Sequence, residues 1–228
     1  MNSEIGELSF KQLFPNRKIP NISVEYGQLH GFNANISLSF SRLKINMSKK
    51  WENISDSIKM GCIQELLRKL YKAKKNKTTE IELYNNFIRS LSDCLPSTNS
   101  HPVLKDSFDK LNKIYFDEEL SETNLKIGNG INLLGSYCYQ TNTISISRML
   151  LEHLELLNYV MYHEMLHKKH KFYSTKTGRS MHHTSKFRKD EKAYPDSKML
   201  EKQLQNLITN TKRVNKTKKS FFSKIFNN

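Results

Sequence analysis

His163-Glu164-Met165-Leu166-His167 is the segment of this 228-residue chain whose residue types and spacing can do chemistry. Four residues along a helix is just over one turn, so two imidazoles at i and i+4 project from one face. They can close on a single metal ion, with the carboxylate between them beside it, which is the H-E-x-x-H zinc signature. A catalytic zinc takes three protein ligands and leaves one position for water, so a third ligand must come from elsewhere. His170, His182, His183 and Glu191 are the candidates. His170 shares the helix face, but three nitrogens from one straight helix reach a single ion poorly, and it reads as a surface histidine. His182 and His183 follow a loop, residues 173–180, long enough to fold back toward the helix, so one of this pair fits best.

Such ligands need a buried helix resting on a sheet. Residues 151–170 have the pattern of an amphipathic helix, with Leu154, Leu156, Leu157, Tyr159, Val160, Met161, Met165 and Leu166 apolar on more than one face. The run Asn142–Ser147 before it alternates and is β-branched, as a strand requires. Upstream, 103–116 reads as a helix with Leu104, Phe108, Leu111 and Tyr115 inward, followed by strands at 124–127 and 131–139. A helix, three strands and a metal-bearing helix make an α+β unit, its small sheet mostly antiparallel and packed on one side of the ligand helix. An edge strand of that sheet can pair with an extended peptide.

Residues 1–95 read as a second α+β region. Strands are expected at 22–26 and 34–40 around Gly27 and Gly31, with a further strand at 43–47. A helix over 54–71 follows, with Ile58, Cys62, Ile63, Leu66, Leu67 and Leu70 as its stripe, and Thr79 with Glu82 opens another in capping-box spacing. Residues 96–102, rich in Ser, Thr and Asn between two prolines, read as a linker. The expected organisation is an N-terminal region over 1–95, the metal domain over 96–205 and a basic tail over 206–228.

An internal similarity crosses that boundary. Ile58–Arg68 lines up with Leu157–His167, and each follows an Ile-Ser-x-Ser run; Gln64 and Arg68 then replace the two histidines. A degenerate, metal-free duplication is one reading of this; the other is that two amphipathic helices following strands align by chance.

The formal net charge is +15, and the 61 residues from Lys168 onward hold seventeen Lys and Arg against four Asp and Glu. A field of that sign attracts polyanions, nucleic acid first and anionic membrane second. Lys212, Arg213, Lys216, Lys218, Lys219 and Lys224 are the contacts expected in the tail, where Phe221, Phe222, Ile225 and Phe226 also share a helical face, as in an interfacial helix. The N-terminus has neither a basic n-region nor an apolar core, and no run is long and apolar enough to span a bilayer, which points to the cytoplasm. Cys62, Cys94 and Cys138 form no C-x-x-C pair, so any zinc must be held by histidine and carboxylate.

The motif followed by His183-Thr184-Ser185-Lys186-Phe187 resembles the minimal zinc peptidase domain of the SprT-like and YgjP-like families, in which H-E-x-x-H precedes a loop and H-x-x-x-F. Phe108-x-x-Leu111-Asn112-x-x-Tyr115-Phe116 is similar to the SprT-like opening helix. Leu157-Asn158-Tyr159-Val160 and Phe187-x-x-x-Glu191-x-x-x-Pro195 are similar to the YgjP-like pattern. The likeness covers about 103–204 and implies a zincin-like fold and one zinc per chain. It also implies His163, His167 and His183 as ligands, Glu164 as general base, Phe187 packing the third-ligand loop, and a protein or peptide as substrate. Thr184 stands where a glycine often follows the third histidine, and the bacterial zinc ribbon is missing. Spartan-like relatives act on DNA-attached proteins, which would suit the basic C-terminal third. The competing expectations are a non-catalytic zincin-fold module that binds nucleic acid, and a membrane-surface protein held by 212–228. Tyr173 and Tyr194 are the tyrosines that could face an oxyanion.

Overall fold

A computed structural model describes residues 2–40, 42–73, 76–94, 97–174 and 180–226; of these, the side chains at 2, 92–94, 173–174, 180 and 215–226 are not described. The elements run α1 (Asn2–Leu13), β1 (Asn21–Gly27), β2 (Ala34–Ser39), β3 (Arg42–Ser48), α2 (Asp56–Leu70), α3 (Thr79–Cys94) and α4 (Pro102–Tyr115). They continue β4 (Asn124–Gly128), β5 (Gly135–Cys138), β6 (Thr143–Ser147), α5 (Leu154–His170), β7 (Tyr173–Ser174), β8 (Ser180–Met181), α6 (Ser185–Lys192) and α7 (Ser197–Phe226). The chain is α+β, as its patterning implies. It divides into two compact units: Met1–Leu95 with Tyr139–Asn142 and Phe172–His182, and Pro96–Cys138 with Thr143–Lys171 and His183–Asn228.

In the second unit the strand order is β4-β6-β5, with β6 central. β4 lies parallel to β6 and β5 antiparallel to it, so the sheet is mixed rather than mostly antiparallel. The reason is the route of residues 129–134. The expected strand over 131–139 pairs only at 135–138, and the stretch before it is a loop pinned by the Ser147 hydroxyl, which donates to the Gly130 carbonyl at 2.5 Å. Ile144 and Ile146 on β6 are fully buried and meet Leu157, Met161, Met165 and Leu166 of α5 in one core with Leu104, Phe108 and Leu111 of α4. Burial of β-branched side chains on a central strand against a helix is what the hydrophobic effect favours here, at about 1.5–3 kcal/mol for each large side chain.

The serine-rich stretch read as a linker is ordered against β4. Asn124 is buried, and its Oδ1 accepts from the backbone N–H of Thr98 at 2.8 Å and of Asn99 at 3.0 Å. Leu125 N–H donates to the Asn99 carbonyl, and His101 N–H to the Leu125 carbonyl. These bonds make 97–101 an extension of the sheet edge and set the entry to α4, whose Pro102 needs no N–H partner at the first helical position.

The first unit has the strand order β1-β3-β2, with β1 parallel and β2 antiparallel to β3. Its core joins Phe10 and Leu13 of α1 to Leu43, Ile45 and Met47 of β3 and Ile63 and Leu67 of α2. Helix α1 was not foreseen, because Asn2–Leu13 is short on apolar residues and buries only a narrow stripe. Cys62 is buried and Cys138 half-buried, and neither is in a disulfide.

Replacing Asn124 with Ala removes the acceptor of the Thr98 and Asn99 amides and costs about 1 kcal/mol. The expected outcome is a lower urea midpoint with an unchanged slope; an unshifted midpoint would show that the 97–101 edge carries no stability.

Candidate metal centre

Helix α5 carries His163 and His167 one turn apart, and the chain then returns so that His183 stands just before α6. One ring nitrogen from each of the three lies within 4.8 Å of the others. His183 Nε2 and His167 Nε2 are 3.2 Å apart. Acceptor nitrogens aimed at one point from a helix and a separate loop suit a single cation better than they suit each other.

Two devices bring His183 in. The Thr184 hydroxyl accepts from Phe187 N–H at 3.1 Å and so caps α6, fixing where the loop becomes helix. Phe187, fully buried, then lies against all three imidazoles, with ring centroids 5.2 Å from His163, 4.8 Å from His167 and 4.7 Å from His183. Glu191, one turn further along α6, accepts from His163 Nδ1–H at 2.7 Å. That bond fixes the tautomer and leaves Nε2 of His163 free to be a ligand. Burial pulls the His163 pKa down, but the hydrogen bond to Glu191 and the neighbouring Glu164 carboxylate outweigh it and the net shift is upward. The bond from His163 is also the largest cause that lowers the Glu191 pKa.

Glu164 is 5% exposed, and burial raises its carboxyl to about 7, against the opposing pull of His163 and a hydrogen bond from the Tyr137 backbone. It fits because β5 begins with glycine. A Cβ added at Gly135 would stand 2.5 Å from Glu164 Oε1 and 2.6 Å from Val160 Cγ1. The carboxylate opens on a cleft of about 620 Å³ lined by Leu134 and Gly135 of the β5 edge, Tyr159, Val160 and His163 of α5, and one face of α7.

Other sequence candidates lie elsewhere. His182 belongs to the first unit, stacked on Phe172 at 5.5 Å and near Tyr139 at 6.4 Å, and does not join the three histidines. Glu191 is the hydrogen-bond partner of a ligand position rather than one of the converging groups. His170 is not a surface histidine: its side chain is covered, because α6 packs over it and Asp190 meets Nε2 at 2.9 Å. Tyr194 packs among Tyr115, Tyr159 and Tyr162, and burial pushes its hydroxyl up to about 12. The side chain of Tyr173 lies outside those described. Lys212 and Arg213 are exposed on α7, whereas the side chains of Lys216, Lys218, Lys219, Lys224 and the Phe221–Phe226 face lie outside those described. Sequence reasoning did not find Gly135 or the role of Glu191; a glycine at a strand start and an acid two turns past the third histidine were the signals available. Among the described residues no helix is long and apolar enough to cross a membrane.

The model of the SprT-like family matches residues 104–208, so the resemblance carried by the motif holds over that span. Among solved structures, the crystal structure of the metallopeptidase zymogen of Methanocaldococcus jannaschii jannalysin is similar at 20% identity and a TM-score of 0.37, covering 51% of this chain and 95% of that one. No curated protein matches significantly.

A carboxyl raised from 4.5 to about 7 binds its proton more tightly in the folded than in the unfolded chain. Between those values the native state holds more protons, so metal-free protein loses stability from Glu164 as pH rises through that window. Chelator-treated wild type should therefore lose stability relative to Glu164→Gln between about pH 4.5 and 7 in denaturant titrations. Parallel curves for the two proteins would refute the buried, raised carboxyl.

Proposed function

We propose that this chain is a zinc-dependent metallopeptidase in which His163, His167 and His183 hold the ion and Glu164 is the general base. The observation that carries the reading is the convergence of three imidazoles beside a buried carboxylate at the wall of a cleft. The SprT-like match over the same residues supports a metallopeptidase-type function. The donor set suits zinc: three neutral nitrogens, one oriented from behind by Glu191, leave the ion its full charge and a position for water. When bound, zinc supplies Lewis acidity that lowers the pKa of a coordinated water and polarises a carbonyl oxygen.

The chain's own residues do the rest. Glu164, buried at the cleft wall beside His163, takes a proton from the attacking water and passes it to the leaving amine. Strand β5, at the sheet edge and at the cleft wall, offers an extended peptide a strand to pair with, which would hold the scissile bond beside Glu164. Leu134 and Val160 give that wall an apolar surface.

DNA-associated proteins are the substrates we favour. What supports this is the charge of the C-terminal third and the exposure of Lys212 and Arg213 on α7, the helix whose earlier turns line the cleft. Binding of duplex DNA to the full chain should weaken steeply between 50 and 200 mM salt, on the order of tenfold or more if several phosphates are neutralised. Salt-independent binding, or none at low salt, would remove nucleic acid as the partner.

Zinc analysis after reconstitution should give about one ion per wild-type chain, a clear loss in His183→Ala and no loss in His182→Ala. Glu164→Gln should keep the ion while peptide hydrolysis falls by about 10²–10⁴-fold. Hydrolysis at the wild-type rate in Glu164→Gln, or full zinc in His183→Ala, would overturn the assignment.

A further inference from the structure

We propose that residues 2–94 are a duplicate of residues 102–192 that has lost its metal, with an Arg68–Glu65 ion pair standing at the helix positions of the second histidine and the catalytic carboxylate. Six elements follow one another in the same order in both, the second set adding a 3-10 turn at Tyr139–Thr141 between β5 and β6 and the short strands β7 and β8 between α5 and α6. α1, β1, β2, β3, α2 and α3 run in parallel with α4, β4, β5, β6, α5 and α6, and each third strand passes through a single 3-10 turn, Lys49–Trp51 or Arg148–Leu150, before its helix. Each sheet places its third strand in the centre, parallel to the first and antiparallel to the second. A three-element crossover followed by a return hairpin is one of several ways to order three strands, and chance does not readily give it twice.

The match continues at residue level. Gly27 pairs with Ser48 as Gly128 pairs with Ser147, Val24 with Ile45 as Leu125 with Ile144, and Ala34 with Met47 as Gly135 with Ile146. The Ser48 hydroxyl donates to the Gly31 carbonyl at 2.6 Å, and the Ser147 hydroxyl to Gly130 at 2.5 Å. On the first helices, Ser9-Phe10-x-x-Leu13 and Ser107-Phe108-x-x-Leu111 are both buried. The Ile-Ser-x-Ser runs themselves are not equivalent, since Ile36–Ser39 lies in β2 and Ile144–Ser147 in β6; the counterpart of the latter is Ile45–Ser48.

Ser48 and Ser147 are 99 positions apart, and the same spacing carries Gln64, Glu65 and Arg68 onto His163, Glu164 and His167. The last helix of each set is capped alike: Thr78 Oγ1 accepts from Ile81 N–H at 3.2 Å, and Thr184 Oγ1 from Phe187 N–H at 3.1 Å, with Ile81 and Phe187 both buried. Lys77 thereby takes the place of His183. The ligand positions thus hold Gln, Arg and Lys, of which Arg never offers a lone pair and Lys does so only when deprotonated.

The replacements are knitted into the first unit. The Gln64 amide donates to Gln12 Oε1 at 2.7 Å and accepts from the Thr78 hydroxyl. The buried Arg68 guanidinium meets Glu65 Oε1 at 2.6 Å, and Lys77 pairs with Glu82. Ala34 occupies the position of Gly135, where a Cβ would collide with the carboxylate of Glu164. By that equivalence a methyl stands at the strand position that must be bare for a carboxylate placed like that of Glu164, and Glu65 pairs with Arg68 instead. On this reading the first unit takes no part in hydrolysis.

The inference rests on the proposed function only for the metal of the second unit, and the test separates the two. Zinc per chain is measured by elemental analysis on the full-length Gln64→His/Arg68→His/Lys77→His variant, alone and combined with His163→Ala/His167→Ala, beside the wild type. One ion in the wild type, two in the triple variant and one in the combined variant is the expected result. A wild type without zinc but a combined variant with one would overturn the proposed function and keep the duplication. A triple variant that shows the wild-type circular dichroism and gains no zinc overturns the duplication. If that variant does not fold, a crystal structure of the wild-type chain decides: β1 unpaired from β3, or Gln64 and Arg68 off the helix face that matches His163 and His167, overturns it.

Discussion

Two histidines one turn apart on a helix can only half enclose an ion. The third has to arrive from a separate stretch of chain and stop within an ångström or so of the right place. Here the stop is made by Phe187, whose fully buried ring lies within 4.7–5.2 Å of the three imidazole centroids while its own N–H is tied to the Thr184 hydroxyl. Because the ring is anchored in the core and not in solvent, the position of His183 is set by packing, which is steep in distance, rather than by loop conformation, which is not. Glu191 and Asp190 follow from the same docking, since a helix seated by Phe187 delivers one acid to His163 and the other to His170.

The second constraint is room for a carboxylate in an apolar setting. An ionised carboxyl buried beside Val160 is costly unless a positive charge or hydrogen bonds compensate it, and in this site the metal-free compensation is partial, which is why the group holds its proton to about pH 7. That property is useful for a proton shuttle and unfavourable for the fold. Gly135 makes it tolerable by letting strand and helix approach without a side chain between them.

Much of this was legible in the sequence. The motif helix, β6 with its alternating Ile144 and Ile146, and α4 with Leu104, Phe108 and Leu111 follow from periodicity, because each buries one clear face. The parallel pairing of β4 with β6 was not legible, since periodicity fixes which face is buried but not which neighbour a strand takes. The ordered edge at 97–101 was hidden for a related reason: Ser, Thr and Asn signal loops by composition, yet the same groups satisfy a sheet edge when Asn124 faces them. The choice between His182 and His183 turned on a fact one residue wide, which side of a cap the chain leaves, and spacing alone does not resolve that. His170 looked solvated because its partner Asp190 lies twenty residues on, in a helix no local pattern ties to it.

If the first unit is a duplicate of the second, one electrostatic constraint accounts for the acid being kept while the histidines are not. A glutamate at the helix position of Glu164 points into a poorly solvated space in either unit, so it must be neutral, metal-compensated or paired. Once the second histidine is an arginine, a permanent cation stands one turn away on the same face, and the carboxylate becomes its counter-charge at 2.6 Å. Changing either residue alone would then remove a charge-assisted contact of the other, whereas the position of the first histidine is held by amide and hydroxyl bonds made by a glutamine. On that reading the three-histidine cluster and the ion pair are two solutions to one electrostatic problem, and only the one whose carboxylate faces a cleft keeps the means to move a proton.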